Sequence, residues 1–152
     1  MSLDFERYAA KGNEFVNLVA EDINVPRDKA GRIIRAVLHA LRNKLTMEES
    51  FQLMAQLPMA LKGVYVEGWA IHQEFHRISH VNEFFDEIRK EDGGQAGYDF
   101  GNNEKTKVAV AAIFKALNFY ISEGEINDVM GAMPKELRAF IRKSIAGNET
   151  VL

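Results

Sequence analysis

Apolar side chains return along this chain with the period of an α-helix almost from end to end. Ala30, Ile33, Ile34, Val37, Leu38, Leu41 and Leu45 make one unbroken stripe, the spacing that lets a single helix face be buried. Pro26 stands just ahead of it, where a helix can begin without losing a hydrogen bond. Val108, Ala112, Ile113, Ala116, Leu117 and Ile121 repeat the pattern. No segment alternates apolar and polar residues between turn signals, so no strand is expected. The periodicity predicts helices near residues 4–22, 27–45, 47–57, 58–66, 70–91, 104–121, 123–132 and 134–146. A glycine-rich stretch from Asp92 to Asn103 reads as a surface loop, and Gly147-Asn148 closes the last helix.

The stripes are written twice. Ala36, Ala40, Leu41, Glu49, Met54, Pro58 and Leu61 recur 76 positions later as Ala112, Ala116, Leu117, Glu125, Met130, Pro134 and Leu137. Thr46-x-x-Glu49 and Ser122-x-x-Glu125 both fit a capping box, in which hydroxyl and carboxylate each satisfy an orphan amide at a helix start. Phe15 and Leu18 align with Phe85 and Ile88 at the shorter offset of 70, and the glycine-rich stretch absorbs the difference. The expected fold is all-α: two tandem pseudo-symmetric units of about four helices each, residues 1–68 and 69–148, in one compact domain spanning 1–152. Loop 92–103 lies inside the second unit.

Three stretches carry a family resemblance: Arg35-Ala36-Val37-Leu38-His39-Ala40-Leu41-Arg42, then Ala55-Gln56-Leu57-Pro58, then Gly63-Val64-Tyr65-Val66-Glu67-Gly68-Trp69. Together they resemble the bacterial domain-of-unknown-function 2267 family, over about Phe15 to Ile141. The second copy is weaker, with Ala132-Met133-Pro134 in place of Gln56-Leu57-Pro58 and no Glu-Gly-Trp after it. The resemblance implies an all-helical tandem fold and carries over no catalytic residue or cofactor.

Composition narrows the chemistry. The 152 residues include no cysteine, which removes disulfides, thiolate zinc sites, iron–sulfur clusters and cysteine nucleophiles. The opening residues mix charges and lack the apolar core of a signal peptide. No run approaches the ~18 apolar residues of a spanning helix, so a cytoplasmic, membrane-free protein is expected. The net charge is −3, with no recognition-helix pattern and no RNA-stacking motif, so nucleic acid is not an expected partner.

Four groups of residues are candidates for function. His72, His76 and His80 recur every fourth position, within an arc of about 80° on a helix that also carries Glu83. Such a row can hold a divalent metal weakly, although i to i+8 is about 12 Å of rise, too far for one ion to take all three. His72-Gln73-Glu74-Phe75-His76 is not a metalloprotease motif, because Glu74 stands one position late and projects away from both imidazoles. Arg32, Arg35, His39 and Arg42 form a basic stripe suited to an acidic protein partner. Tyr65, Glu67 and Trp69 mark the joint between the units, where an aromatic floor with an acid at its edge would suit a small ligand groove. Met47, Met54, Met59, Met130 and Met133 suit either core filling or an adaptable surface.

No phosphate-cradling loop and no nucleophile elbow occur. The expected function is a non-enzymatic helical interaction protein, monomer or homodimer, that presents charged helix faces to a protein partner. A metal-binding protein and an enzyme or small-ligand binder with a groove at Trp69 are the alternatives. No cofactor is expected beyond a weakly held divalent metal.

Overall fold

Helix α1, Phe5–Asp22, starts where the Asp4 carboxylate accepts from the Arg7 amide at 3.2 Å. The structure, a computed structural model, describes residues 3–70 and 80–149. Among these it is a compact all-α fold without strands. The remaining helices are α2 (Arg27–Lys44), α3 (Met47–Gln56), α4 (Met59–Val66), α5 (Val81–Asp92), α6 (Ala96–Phe100), α7 (Asn103–Leu117), α8 (Glu123–Met130) and α9 (Lys135–Glu149).

Two helices form the middle of the molecule, and both owe this to small residues. From Ala36 to Asn43 every position of α2 is buried, because Ala36 and Ala40 let neighbours approach on the sides that Val37, Leu38 and Leu41 leave. Helix α7 does the same with Ala109, Ala111, Ala112 and Ala116 around Val110, Ile113, Phe114 and Leu117. Helices α1, α4, α5 and α6 pack on α2, and α1, α5, α6 and α9 pack on α7. All seven residues of the predicted α2 stripe are buried. In the second stripe Val108 departs from expectation and is 46% exposed. Met130 and Met133 are core residues, whereas Met47 and Met59 are exposed.

Helix α1 crosses α4 closely at Gly12. A Cβ placed on Gly12 would stand 2.7 Å from the Ala60 Cβ, a separation that real side chains do not reach. Gly12→Val should therefore destabilise the fold by about 1–3 kcal/mol, the usual range for overpacking. Urea unfolding checks this, and adding Ala60→Gly should recover part of the loss in a double-mutant cycle.

The capping signals resolve differently. Thr46 makes the complete box, accepting from the Glu49 amide at 3.1 Å while its own amide donates to Glu49 Oε1 at 2.8 Å. Ser122 accepts from the Glu125 amide at 3.1 Å, but its own amide donates to Gln56 Oε1 at 2.7 Å. The second box is thus half a box, opened to tie α8 to the end of α3.

Two expectations fail at boundaries. The stretch 92–103 is not a plain surface loop: a 3₁₀ turn, Gly93–Gln95, leads into α6, with Asp99 and Phe100 buried. Gly93 (φ 68°) and Gly101 (φ 59°) end α5 and α6 in backbone that favours glycine. The glycines are therefore helix stops around a buried Asp-Phe anchor. The helix expected over 70–91 is not continuous through position 80, since α5 starts at Val81 with His80 in extended backbone as its N-cap; residues 71–79 lie outside the described residues.

Candidate functional site

The basic stripe and the aromatic joint form one construction. Helix α4 ends with carbonyls that have no partner inside the helix. His39 and Arg42 on α2 supply donors at this end, His39 to a Val64 carbonyl that otherwise accepts only the Glu67 amide at 3.3 Å. His39 Nε2 lies 2.7 Å from the Val64 carbonyl, and since a carbonyl only accepts, Nε2 carries the proton. Arg42 Nη1 donates to the Tyr65 and Glu67 carbonyls, both at 2.7 Å. A cation at a helix C-terminus also complements its dipole. Burial pushes the pKa of His39 and of Arg42 below its ordinary value, so His39 is a neutral donor here.

The aromatic residues close over this clamp. Tyr65 is fully buried, and its hydroxyl is 2.8 Å from Ser50 Oγ. Burial raises its pKa to about 12. Trp69 meets Tyr65 edge-to-face with centroids 5.7 Å apart and lies 5.8 Å from the Arg42 guanidinium carbon, within cation–π range. Arg35 pairs with the Glu67 carboxylate at 2.8 Å. The residues expected to form a partner stripe and a ligand groove thus bond largely to one another and fasten α4 to α2.

Arg32 turns the other way along α2. Its guanidinium makes a two-pronged bond to Asp99, Nε to Oδ2 at 2.9 Å and Nη2 to Oδ1 at 3.0 Å, and Nη1 reaches Asp28 at 3.4 Å. The side chain of Asp99 has no exposed surface. Beside it, Asp92 Oδ2 is buried with no donor among the described residues. Two carboxylates in contact need a proton between them. Burial and the bond to Asp99 raise Asp92 to about 7. Burial opposes ionisation of Asp99, but the bonds from Arg32 and Asp92 hold it below the ordinary carboxylate range. Asp92 is accordingly the proton carrier and Asp99 the carboxylate. Nothing in the local pattern marked this pair. The one available signal was an acid and a phenylalanine, Asp99-Phe100, inside a glycine-rich stretch.

Close to Asp99 lies a cavity of about 410 Å³ between the α1–α2 turn, α2 and α7. Ile23, Val25, Ile33 and Ala109 give it apolar walls, and Lys29, Glu104 and Lys105 also line it.

The histidine row is only partly described. His72 and His76 lie outside the described residues. His80 is not a helical residue: it stands in extended backbone (φ −131°, ψ 144°) as the N-cap of α5. Helical spacing therefore does not carry the row into Glu83, which lies in the first turn of α5. Among the described residues no group of three His, Cys, Asp or Glu is placed to hold a metal ion. No described helix is long and apolar enough to cross a membrane.

No curated protein matches the chain. A family model described as an uncharacterized conserved protein, DUF2267, matches residues 12–140. That span takes in α2 with its four polar anchors, the α4 end they hold, and the Asp92–Asp99 pair, and the chain accordingly belongs to the DUF2267 family.

Proposed function

We propose that this chain is a non-enzymatic helical interaction protein that receives a protein partner on α3 and the start of α4. One observation carries the reading: Met47 and Phe51, one turn apart on α3, are 46% and 61% exposed, and Met59 opens α4 at 50%. Exposed methionine beside an exposed aromatic is the composition of an adaptable binding surface. Glu48 on the same helix leaves an acidic rim, which favours a partner helix with apolar and basic faces. Arg32, Arg35 and Arg42 of α2 contribute less, because they are engaged with α6 and the end of α4.

A duplicated scaffold fits the same reading. Helix α5 lies on α2 as α1 lies on α7, while α3 meets α8 and α2 meets α7. These pairings are what two units related by a pseudo-twofold axis would make, with α1 also packed on α2 and α4 of its own unit.

The test is photo-crosslinking in the native host, with a photoreactive residue at Phe51 and, separately, at Lys90 on α5. A discrete adduct at position 51 alone is expected, lost in Met47→Glu and kept in Arg35→Ala. No adduct at 51, or the same adduct at both positions, would remove the reading.

A further inference from the structure

The cavity between the α1–α2 turn, α2 and α7 has the chemistry of a ligand site, independent of the partner surface on α3. Its floor is Ile33 and Ala109, both buried, and Ile23 and Val25 pack on the core from its side. Water held by such walls makes few good hydrogen bonds, so an apolar body displaces it favourably.

The polar groups at the rim favour one sign of charge. Lys29 comes from α2 and Lys105 from α7. Neither ammonium has a carboxylate within ion-pair distance among the described residues; Lys29 instead lies 4.4 Å from the Tyr98 ring centroid. Asp99 faces the same space, but its carboxylate is covered and neutralised by Arg32. Glu104 is the acid left open. Two unpaired ammonium groups against one open carboxylate leave a positive rim above an apolar floor.

We propose that this cavity binds a small organic anion, a carboxylate or sulfonate on an apolar body, with the body against Ile33 and Ala109 and the anionic head between Lys29 and Lys105. Val108, 46% exposed at the cavity, is then a wall of the entrance, which explains why a residue of the apolar stripe faces outward.

Fluorescence titration with 8-anilinonaphthalene-1-sulfonate and with its uncharged counterpart, N-phenyl-1-naphthylamine, tests this. The full-length protein should bind the sulfonate saturably at one site, at least tenfold more tightly than the neutral probe. Lys29→Gln with Lys105→Gln should erase that preference, weakening the sulfonate about tenfold and leaving the neutral probe unchanged. Glu104→Gln should strengthen the sulfonate a few-fold, and Val108→Trp should weaken both probes. Amide shifts on titration should centre on Val108 and Ala109, and circular dichroism of each variant should match the parent. Unsaturable binding, equal affinity for the two probes, shifts centred elsewhere, or a sulfonate affinity indifferent to both lysines would overturn the proposal.

Discussion

Replacing Arg42 with methionine is expected to lower stability by about 2–4 kcal/mol, an effect measurable as a displaced urea midpoint with unchanged slope. The size comes from what the substitution strands. Arg42 is 5% exposed and donates to the carbonyls of Tyr65 and Glu67 at the end of α4. A buried acceptor left without a donor costs about 1–3 kcal/mol; the Tyr65 carbonyl is one, and the Glu67 carbonyl, on an exposed residue, adds a smaller loss. The Trp69 ring also loses its cation. Part of the loss is offset, because Arg42 Nε is itself buried without an acceptor and methionine removes that defect. Arg42→Lys keeps the charge, but both bonds leave Nη1 and a lysine ammonium stands one bond short of that position, so it should recover less than half. Arg35→Ala is the contrast. It breaks a pair whose side chains are 49% and 56% exposed, and pairs of that kind contribute roughly 0–1 kcal/mol. Equal effects at Arg35 and Arg42 would mean that the clamp on α4 is not what holds it.

The neighbouring positions on one helix face explain how far the sequence could be read. Periodicity reports which side of a helix is buried, and it placed Ala30 through Leu45 correctly because apolar burial repeats locally. Thr46 and Pro58 were legible for the same reason: a cap is satisfied within one turn. On the same helix Arg42 has no local partner, and Arg32 has only a long one, Asp28 one turn back at 3.4 Å. Asp99 is 67 positions from Arg32, and the Tyr65 carbonyl is 23 positions from Arg42. A polar residue engaged by a distant helix end has the same local pattern as one in solvent, so the stripe read as a surface. Asp92 to Asn103 misled in the opposite way. Glycine that stops a helix and glycine that frees a loop look alike until φ is known, and Gly93 and Gly101 are stops. The row His72, His76 and His80 rested on helical continuity up to His80, which the α5 N-cap ends. The candidate cavity was illegible because its walls come from two helices and a turn that meet only in the fold.

Asp92→Asn should remove a pH dependence of stability between about pH 4 and 7 and raise stability at pH 8. The sign follows from linkage. Asp92 holds its proton up to about pH 7 in the folded chain, against a usual value of 3.8, so over that interval the folded state binds more protons than the unfolded one. Stability then falls as pH rises from about 4 to 7 and is level beyond it. Asp99 acts oppositely. Its pKa is depressed by Arg32 and Asp92, so its contribution is present above the usual carboxylate range and is lost only in stronger acid. The pair is therefore most favourable near pH 4 to 5, with one proton between two carboxylates and Arg32 on the ionised one. Above pH 7 both are charged against a single guanidinium. Asparagine keeps a donor toward Asp99 at every pH and removes the second charge. Asp92 is partly open to solvent, so screening holds the gain at pH 8 to about 1–2 kcal/mol, well below what the full shift would imply. Urea unfolding of parent and variant at pH 4.5, 6 and 8 isolates the effect, since His39 and Glu125, which also change pKa on burial, are common to both. The difference should be near zero at the lowest pH and grow to its full value by the highest. A constant difference would place the proton elsewhere and leave Asp99 held by Arg32 alone.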